Sequence, residues 1–215
     1  FTNYPRRILG PFIETLKEGA IDDPKNAERF LNIITKHINR LNLLIDDLLT
    51  LSKLEQKPDE IKTVDENIYS LLRSVAEDYE FKANEKKITV NIKCDEKLKA
   101  NINKHLLEQA IGNLVDNAIK YSDKKSEIEL GAEEKDKQLQ IYVKDEGYGI
   151  SDDHMPRLFE RFYRVDKGRS REEGGTGLGL AIVKHIINTM NGIIEVDSKP
   201  GKGSKFTVKI PQKYD

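Results

Sequence analysis

The sequence is short of residue types that define whole classes of protein: its 215 residues include one cysteine and no tryptophan. A single cysteine, Cys94, cannot form an internal disulfide, and it suits a reducing compartment. No apolar run approaches the roughly 18 residues of a membrane-spanning helix, and no signal peptide is visible. The net charge of −1 gives no general attraction to nucleic acid. We therefore expect no nucleic-acid partner, and contact with a membrane only through parts of a parent protein absent here.

Two common nucleotide-binding fingerprints are also missing. The pattern G-x-x-x-x-G-K-[ST] occurs nowhere in the sequence. Counting G-x-G-x-x-G from Gly175 places Leu180 where the third glycine should stand. A P-loop and a dinucleotide-binding fold are both disfavoured on this ground. A nucleotide site in this chain has to be of another kind.

A long amphipathic helix is predicted from 24 to about 55. The positions of its apolar face, one of them occupied by a histidine, alternate spacings of three and four: Ala27, Phe30, Ile34, His37, Leu41, Leu44, Leu48 and Leu51. Three more apolar residues widen that face: Leu31, Ile38 and Ile45. About 30 helical residues span roughly 45 Å, which a short preceding helix cannot cover. We therefore predict a helical hairpin that dimerises into a four-helix bundle. The alternative is that this helix packs on the rest of its own chain.

The helix before it is predicted to be short. Pro11 suits a first helical position, so the expected helix runs from there to Glu18 and ends at Gly19. The preceding ten residues have no clear period, and Pro5, Gly10 and Pro11 are expected to interrupt a helix there.

Beyond a predicted linker at 57–60, helices and strands mix without regular alternation. This order favours an α+β fold with a mixed sheet covered on one face by helices. The predicted helices are 67–84, 103–121 and 178–190, and the predicted strands are 88–92, 127–131, 138–144, 193–196 and 206–210, the last two forming a hairpin. The expected domains are 1–57 and 61–215.

Two glycine clusters about thirty residues apart hold the clearest functional signal. Asp145, Gly147 and Gly149 follow a predicted strand, while 174–179 opens a predicted helix. Glycines at a helix start let the backbone approach an anion, and the unpaired N–H groups there favour phosphate. The polar segment 166–173 between the clusters fits a mobile lid.

Four motifs in order carry a family resemblance: Asn113–Tyr121, Asp145–Gly149, Phe159–Arg164 and Gly175–Gly179. With them the chain resembles the catalytic core of a bacterial sensor histidine kinase of the PhoR-like class, in the GHKL (Bergerat-fold) ATP-binding superfamily. The resemblance implies a histidine-phosphotransfer-like helical hairpin at 1–57, with an altered or truncated first helix. It also implies an ATP-binding catalytic domain at 61–215, built as a two-layer α/β sandwich.

The resemblance implies a reaction as well as a fold. Such a core binds ATP with Mg²⁺ and transfers the γ-phosphoryl group to a histidine on the bundle. The phosphate then passes to an aspartate of a response-regulator receiver domain. The expected protein is a homodimer through its hairpin and a protein-histidine kinase. We expect it to be the cytoplasmic portion of a membrane-bound sensor.

Site residues follow from matching the motifs position by position. Asn113, Lys120 and Arg164 are the expected catalytic residues, although Arg164 is alternatively a surface cation. Asn117 is the expected Mg²⁺ ligand, since an amide oxygen suits that hard cation. The expected nucleotide-binding set is Asn113, Asn117, Lys120, Tyr121, Asp145, Gly147, Gly149, Ile150, Phe159, Tyr163, Arg164, Gly175, Thr176, Gly177, Leu178 and Gly179.

Two kinds of side chain within these motifs have specific expected roles. Asp145 is either a turn-former or, as in the family, the acceptor for the adenine amino group. Such a buried acceptor would choose adenine over guanine. Phe159 and Phe162 are predicted packing anchors for the lid.

None of the four histidines, at 37, 105, 154 and 185, stands in the family's phospho-acceptor context. Aligning back from Phe12–Leu16 places the acceptor immediately before Phe1. We therefore expect the chain as it stands to bind nucleotide without phosphorylating itself, whereas its intact parent is a kinase.

Two other functions remain open. One is a GHKL-type ATPase or pseudokinase that uses nucleotide binding as a conformational switch. Hydrolysing members carry a glutamate where this chain has Asn113, and an amide cannot take a proton from water, which disfavours hydrolysis. The other is a pure dimerisation module, which would leave the glycine clusters without a role.

Overall fold

The computed structural model describes residues 4–56, 62–165 and 175–212. The linker predicted at 57–60 and the lid predicted at 166–173 lie outside the described residues. The described helices are α1 (Tyr4–Lys17), α2 (Pro24–Gln56), α3 (Ile68–Glu85), α4 (Lys104–Tyr121) and α5 (Gly179–Thr189), with short 3₁₀ turns at Ala20–Asp22 and Asp152–Arg157. The strands are β1 (Val64–Asn67), β2 (Thr89–Cys94), β3 (Lys99–Ile102), β4 (Glu127–Lys135), β5 (Gln138–Asp145), β6 (Ile193–Ser198) and β7 (Ser204–Pro211).

Helix α1 corrects the prediction for the N-terminal region. It begins at Tyr4, so Pro5, Gly10 and Pro11 do not interrupt it, and Pro11 lies inside it. Near a helix start the N–H group that proline lacks has no partner anyway, so Pro5 removes little. Packing compensates for the bond lost at Pro11: Leu16 is buried, and the rings of Phe12 and Phe30 lie 6.1 Å apart. Tertiary contact thus outweighs the local preference against helix.

The helical hairpin is confirmed, with α2 extending to Gln56. Asp23 caps α2, since its Oδ1 accepts hydrogen bonds from the backbone N–H groups of Lys25 at 3.0 Å and Asn26 at 3.4 Å. The alternative interpretation, in which α2 packs on the rest of its own chain, holds for the end of the helix, and the start of the helix keeps its apolar face exposed. Leu51 is buried in the core of the sheet domain, whereas Leu31 and Ile45 remain 55% and 54% exposed.

The mixed sheet is also confirmed. Five strands lie in the order β2–β4–β5–β7–β6. Strands β2 and β4 run parallel, and the other three neighbouring pairs are antiparallel. Central strand β5 buries Leu139, Ile141 and Val143 on one face, against the layer of α3, α4 and α5. Its alternate residues, such as Lys144, lie on the other face, so only one face is covered.

A second, two-stranded sheet was not predicted. Strands β1 and β3 pair antiparallel, from Val64 opposite Ile102 to Asn67 opposite Lys99. Each strand has four residues and mixed polarity, which leaves too little alternation to detect. Both strands lead into helices capped by asparagine. Asn67 accepts a hydrogen bond from the Ser70 backbone at 2.7 Å, and Asn103 caps α4 in the same way.

Candidate nucleotide site

The first motif lies on α4, which packs directly against α5. Asn113 and Asn117 are both half-buried and one turn apart. A Cβ atom placed on Gly179, the first residue of α5, would lie 3.3 Å from Oδ1 of Asn113. The start of α5 therefore approaches the asparagine face of α4, so two motifs that are distant in the sequence share one site.

Asp145 ends β5 with its side chain 6% exposed. Its Oδ1 accepts two backbone hydrogen bonds, from Gly147 at 2.8 Å and from Ser204 at 3.2 Å. Burial raises the pKa of this carboxyl group, and the two N–H donors oppose that rise without cancelling it. Within the described part of the chain, Oδ2 accepts no hydrogen bond. Asp145 is thus both a turn-former and a buried acceptor with one oxygen available.

The loop after Asp145 lies between the end of α4 and the β6–β7 turn. A Cβ atom at Gly147 would overlap the Tyr121 carbonyl group, and one at Gly149 would overlap the Lys199 carbonyl group. Gly149 also has a φ of +66°, which glycine adopts without strain. The Tyr148 backbone N–H donates to the Tyr121 carbonyl oxygen at 3.1 Å. Only glycine fits both positions, so the motif is a packing requirement at this loop.

Backbone contacts connect the third and fourth motifs. The Phe162 N–H donates to the Gly177 carbonyl oxygen at 2.8 Å, and Gly177 has a φ of +77°. Arg164 lies beside Gly175, whose Cβ position is 3.7 Å from the guanidinium group. The described residues on either side of 166–174 therefore lie close together. Arg164 thus lies beside the fourth motif rather than on a remote surface.

The aromatic residues of the third motif differ in their roles. Phe162 is anchored through its backbone, while its ring is 49% exposed and is not a buried packing anchor. Phe159 is half-buried, with the Lys184 ammonium group 5.7 Å from its ring centre. Tyr163 shares a 2.7 Å hydrogen bond with Nδ1 of His154, and the Arg157 guanidinium group lies 4.3 Å from its ring centre. His154 lies outside the four sequence motifs, which gave no signal for this contact.

Lys120 and Tyr121 lie at the C-terminal end of α4. The Lys120 ammonium group pairs with Asp116, which also binds Lys82 at 3.0 Å. Although burial raises the pKa of Asp116, the two ammonium groups outweigh it and hold the pKa below its ordinary value. Tyr121 is 40% exposed at the helix end. Asp116 thus orients Lys120, which the motif alone did not predict.

The hairpin adds a residue that sequence analysis missed. Thr176 donates its hydroxyl hydrogen to Oδ2 of Asp47 on α2 at 2.8 Å. The same hydroxyl oxygen accepts the Leu178 backbone N–H at 3.2 Å. Burial raises the pKa of Asp47, and Thr176 and Lys120 only partly offset that rise. The fourth motif is therefore docked on the helical hairpin.

Most expected nucleotide-binding residues thus surround one region, formed by α4, the loop after β5, and the start of α5. Leu178 is buried at the start of α5, and Ile150 donates its backbone N–H to Ser198 at 2.9 Å. Among the residues that the structure describes, no cluster of three or more histidine, cysteine or acidic side chains could hold a metal ion. A Mg²⁺ ion with one amide ligand and phosphate oxygens fits this donor set, because Mg²⁺ often keeps several waters.

Comparison with known families decides the class. A profile of the family "Histidine kinase-, DNA gyrase B-, and HSP90-like ATPase" matches residues 102–214, over half of the chain. The chain belongs to this family. The profile of the "His Kinase A (phospho-acceptor) domain" matches residues 11–57. The resemblance to a GHKL sensor-kinase catalytic core is therefore confirmed.

Relatives of this GHKL core are sensor kinases. The chain is 39% identical over 214 residues to the sensor-like histidine kinase SenX3 of Mycolicibacterium smegmatis, covering 98% of this chain and 55% of SenX3. It is 31% identical over 208 residues to the sensor protein SrrB of Staphylococcus aureus, covering 97% of this chain and 36% of SrrB. The chain thus spans about half or less of the length of these relatives. No described helix combines the length and apolarity needed to cross a membrane.

Solved structures agree with the fold. The Acinetobacter baumannii histidine kinase AdeS superposes with a TM-score of 0.79 at 24% identity, covering 99% of this chain and 98% of AdeS. Histidine kinase ThkA in complex with response regulator protein TrrA gives 0.79 at 25% identity, over 98% of this chain and 58% of that chain. ShkA in complex with AMPPNP gives 0.74 at 27% identity, over 89% of this chain and 40% of that one.

The contact between Asp47 and Thr176 generates a prediction about pH. Because the folded-state pKa of Asp47 is raised, its ionised form is disfavoured in the fold, and stability is lost as pH rises through that pKa. Asp47→Asn keeps an acceptor for Thr176 without the charge. We expect this variant to melt at a higher temperature than the wild type at pH 7.5, by a margin that narrows towards pH 4.

Thermal unfolding monitored by circular dichroism across this pH range measures the margin. Glu28→Gln is the matched control, since Glu28 is exposed on the same helix and does not contribute to the pKa of Asp47. A margin that stays constant with pH, or an equal margin in the control, would contradict the burial of an ionised Asp47.

Proposed function

We propose that this chain is the core of a sensor histidine kinase, cytoplasmic in its parent protein. It binds ATP with Mg²⁺, and the intact protein transfers the γ-phosphoryl group to a histidine and then to a response-regulator aspartate. In this proposal 1–57 is the dimerisation and phosphotransfer hairpin, and 61–215 is the ATP-binding catalytic domain. The observation that carries it is the buried Asp145 carboxylate with one oxygen held by backbone and the other available.

Asp145 supports adenine as the base. The amino group of adenine donates a hydrogen bond, whereas guanine has a carbonyl oxygen at the corresponding edge. A carboxylate oxygen offered from a buried position accepts the first and repels the second, since buried polar groups left without partners cost free energy. The backbone bonds at Oδ1 fix the carboxylate plane, so the acceptor is oriented before the base arrives. Ile150 and the glycines before it would border the base.

The start of α5 supports binding of the phosphates. Glycines 175, 177 and 179 bring backbone N–H groups to the N-terminal end of a helix of 11 residues, where the helix dipole favours an anion. The Arg164 guanidinium group beside Gly175 and the Lys120 ammonium group supply positive charge. Charge of that sign stabilises a phosphoryl group in transfer. Arg164 and Lys120 are therefore the proposed charge-stabilising residues.

Asn117 is the proposed Mg²⁺ ligand, and Asn113 borders the phosphates near Gly179. Bound Mg²⁺ would neutralise phosphate oxygens as charge shifts during transfer. Asn113 also bears on the alternative, a GHKL-type ATPase or pseudokinase. An amide cannot act as a general base, so Asn113 cannot activate water for hydrolysis of ATP. The site therefore favours phosphoryl transfer to a nucleophile that brings its own base.

The proposed partners are a second copy of the chain and a receiver domain. The exposed apolar positions on α2 support the first, because a monomer would leave that face in water. The match of 11–57 to a phospho-acceptor domain family supports both. The relative ThkA, solved in complex with a response regulator protein, supports the second by analogy.

Replacing Asp145 tests the adenine contact. In Asp145→Asn the amide oxygen can still accept the bonds from Gly147 and Ser204, which leaves an NH₂ group facing the adenine amino group. Two donors that face each other in a buried site cost about 1–3 kcal/mol, so affinity for ATP should fall roughly ten- to a hundredfold. Isothermal calorimetry with ATP and Mg²⁺ measures this fall. Asp136→Asn, on the exposed β4–β5 turn, is the control, and equal affinities in both variants would refute the assignment.

Dimerisation through α2 is testable by mass. Light scattering at micromolar concentration should give about twice the chain mass of 24.6 kDa. Introducing charge with Ile38→Glu and Ile45→Glu should yield a monomer, because a buried unpaired carboxylate is costly. Asn32→Glu, at an exposed polar position of α2, should leave the dimer intact. A wild-type monomer would overturn the bundle.

Autophosphorylation is expected to be absent from this chain, since phosphoryl transfer needs a nucleophile held in line. Two of its histidines are otherwise engaged: His37 stacks on Phe12 with ring centres 6.2 Å apart, and His154 binds Tyr163. Incubation with γ-labelled ATP and Mg²⁺ should label nothing although ATP binds. Acid-labile, base-stable label that His37→Ala removes would contradict this.

A further inference from the structure

A buried hydroxyl group outside the proposed nucleotide-binding set joins the parts of the adenine region. Ser198 ends β6 and is 8% exposed. It lies on the strand next to β7, whose first residue, Ser204, supports Asp145 through its backbone N–H. No motif of the family resemblance includes Ser198, and its side chain has no role in the chemistry described above.

Every hydrogen-bonding capacity of this hydroxyl group is used. Its oxygen accepts the backbone N–H of Ile150 at 2.9 Å. Its hydrogen is donated to the Gly203 carbonyl oxygen at 2.9 Å. The Ser204 hydroxyl oxygen lies 2.9 Å away and, with that hydrogen already committed, acts as the donor. A hydroxyl group has one hydrogen and two acceptor positions, so Ser198 is fully satisfied.

One of these bonds acts on the peptide group that holds Asp145. The Gly203–Ser204 peptide donates its N–H to Oδ1 of Asp145 at 3.2 Å, and its carbonyl oxygen is the group that accepts from Ser198. The hydroxyl group therefore helps to fix the plane of this peptide, with a longer bond of 3.4 Å from the Lys199 N–H to the same carbonyl oxygen. Donation to the carbonyl oxygen also polarises the peptide and strengthens its N–H as a donor.

Another bond acts on the loop that follows Asp145. Ile150 ends that loop, and its N–H is tied to Ser198. The β6–β7 turn reinforces the tie, since the Gly201 N–H donates to the Tyr148 carbonyl oxygen at 2.7 Å. One oxygen atom thus connects the loop after β5 to the turn that supports the Asp145 carboxylate.

We propose that Ser198 is a positioning residue for adenine recognition, acting through the Gly203–Ser204 peptide and Ile150 without touching the nucleotide. This inference rests on the proposed function, in which Asp145 accepts the adenine amino group. Removing the hydroxyl group should leave the pocket present and the carboxylate poorly oriented. The loss of binding affinity should therefore come from the contact with the amino group and not from binding of the phosphates.

Discrimination between two nucleotides measures that contact. ATP and purine riboside triphosphate differ by the 6-amino group alone, so the ratio of their affinities, from calorimetry with Mg²⁺, reports on it. We expect Ser198→Ala to lower this ratio roughly three- to tenfold, the range of one hydrogen bond, and Ser198→Thr, which keeps the hydroxyl group, to restore it. Ser198→Cys retains the size but bonds weakly, and it should also lower the ratio if the alanine variant does not fold.

Thr189→Ala provides the matched control. It removes a hydroxyl group that donates to the His185 carbonyl oxygen at 2.7 Å, at the end of α5 away from Asp145. Stability should fall in this variant while the ratio stays unchanged. A folded Ser198→Ala or Ser198→Cys variant with the wild-type ratio would overturn the positioning role and leave Ser198 a structural residue.

If the proposed function itself is wrong, these variants give a different result. If Asp145→Asn itself keeps the wild-type ratio, Asp145 does not recognise the amino group, and both proposals fall. If Asp145→Asn abolishes the preference for ATP while the Ser198 variants keep it, only the inference about Ser198 is wrong.

Discussion

The site depends on one buried carboxylate bonded to the backbone on both sides of it. Asp145 ends the central strand β5, and its Oδ1 draws in the N–H groups of Gly147 and Ser204. In a buried position these donors partly replace the water that an ionised carboxylate loses. The same bonds set the course of the following loop and its distance from β7. The proposed adenine side of the site is therefore a property of the sheet, because the strands that pair with β5 also position the proposed acceptor.

The phosphate side is assembled differently, from helix ends. α4 and α5 pack together, which brings the asparagine face of one to the glycine-rich start of the other. Charge is organised here before a ligand is present, since Asp116 holds Lys120. The hairpin takes part through Asp47, whose carboxylate accepts the Thr176 hydroxyl group. In the proposed site, the half that would bind the base thus meets a phosphate half that contacts the helical hairpin. That arrangement physically connects nucleotide binding to the position of α2.

Sequence periodicity predicted most of the fold because the main elements are long and amphipathic. The heptad pattern of α2 and the alternation in β5 leave few other structures open. The elements that were not predicted correctly have local causes. β1 and β3 are too short and too polar to have a period. Pro11 was expected to begin a helix that in fact extends back to Tyr4, since packing of α1 on α2 outweighs proline's preference. The motifs predicted the candidate site residues, but not the bonds from Asp47 or Ser198, which join segments far apart in the chain.

The backbone bond between Phe162 and Gly177 has a consequence for how sequences of this kind can diverge. It closes the chain on either side of residues 166–174, so the distance that those residues bridge is set by the domain and not by their own composition. Closing a loop costs free energy that grows only with the logarithm of its length, about 0.6 kcal/mol for each doubling. Insertions and deletions there would leave the folded domain almost unaffected. Related chains can therefore differ in length between the third and fourth motifs while the described parts of the domain keep their geometry.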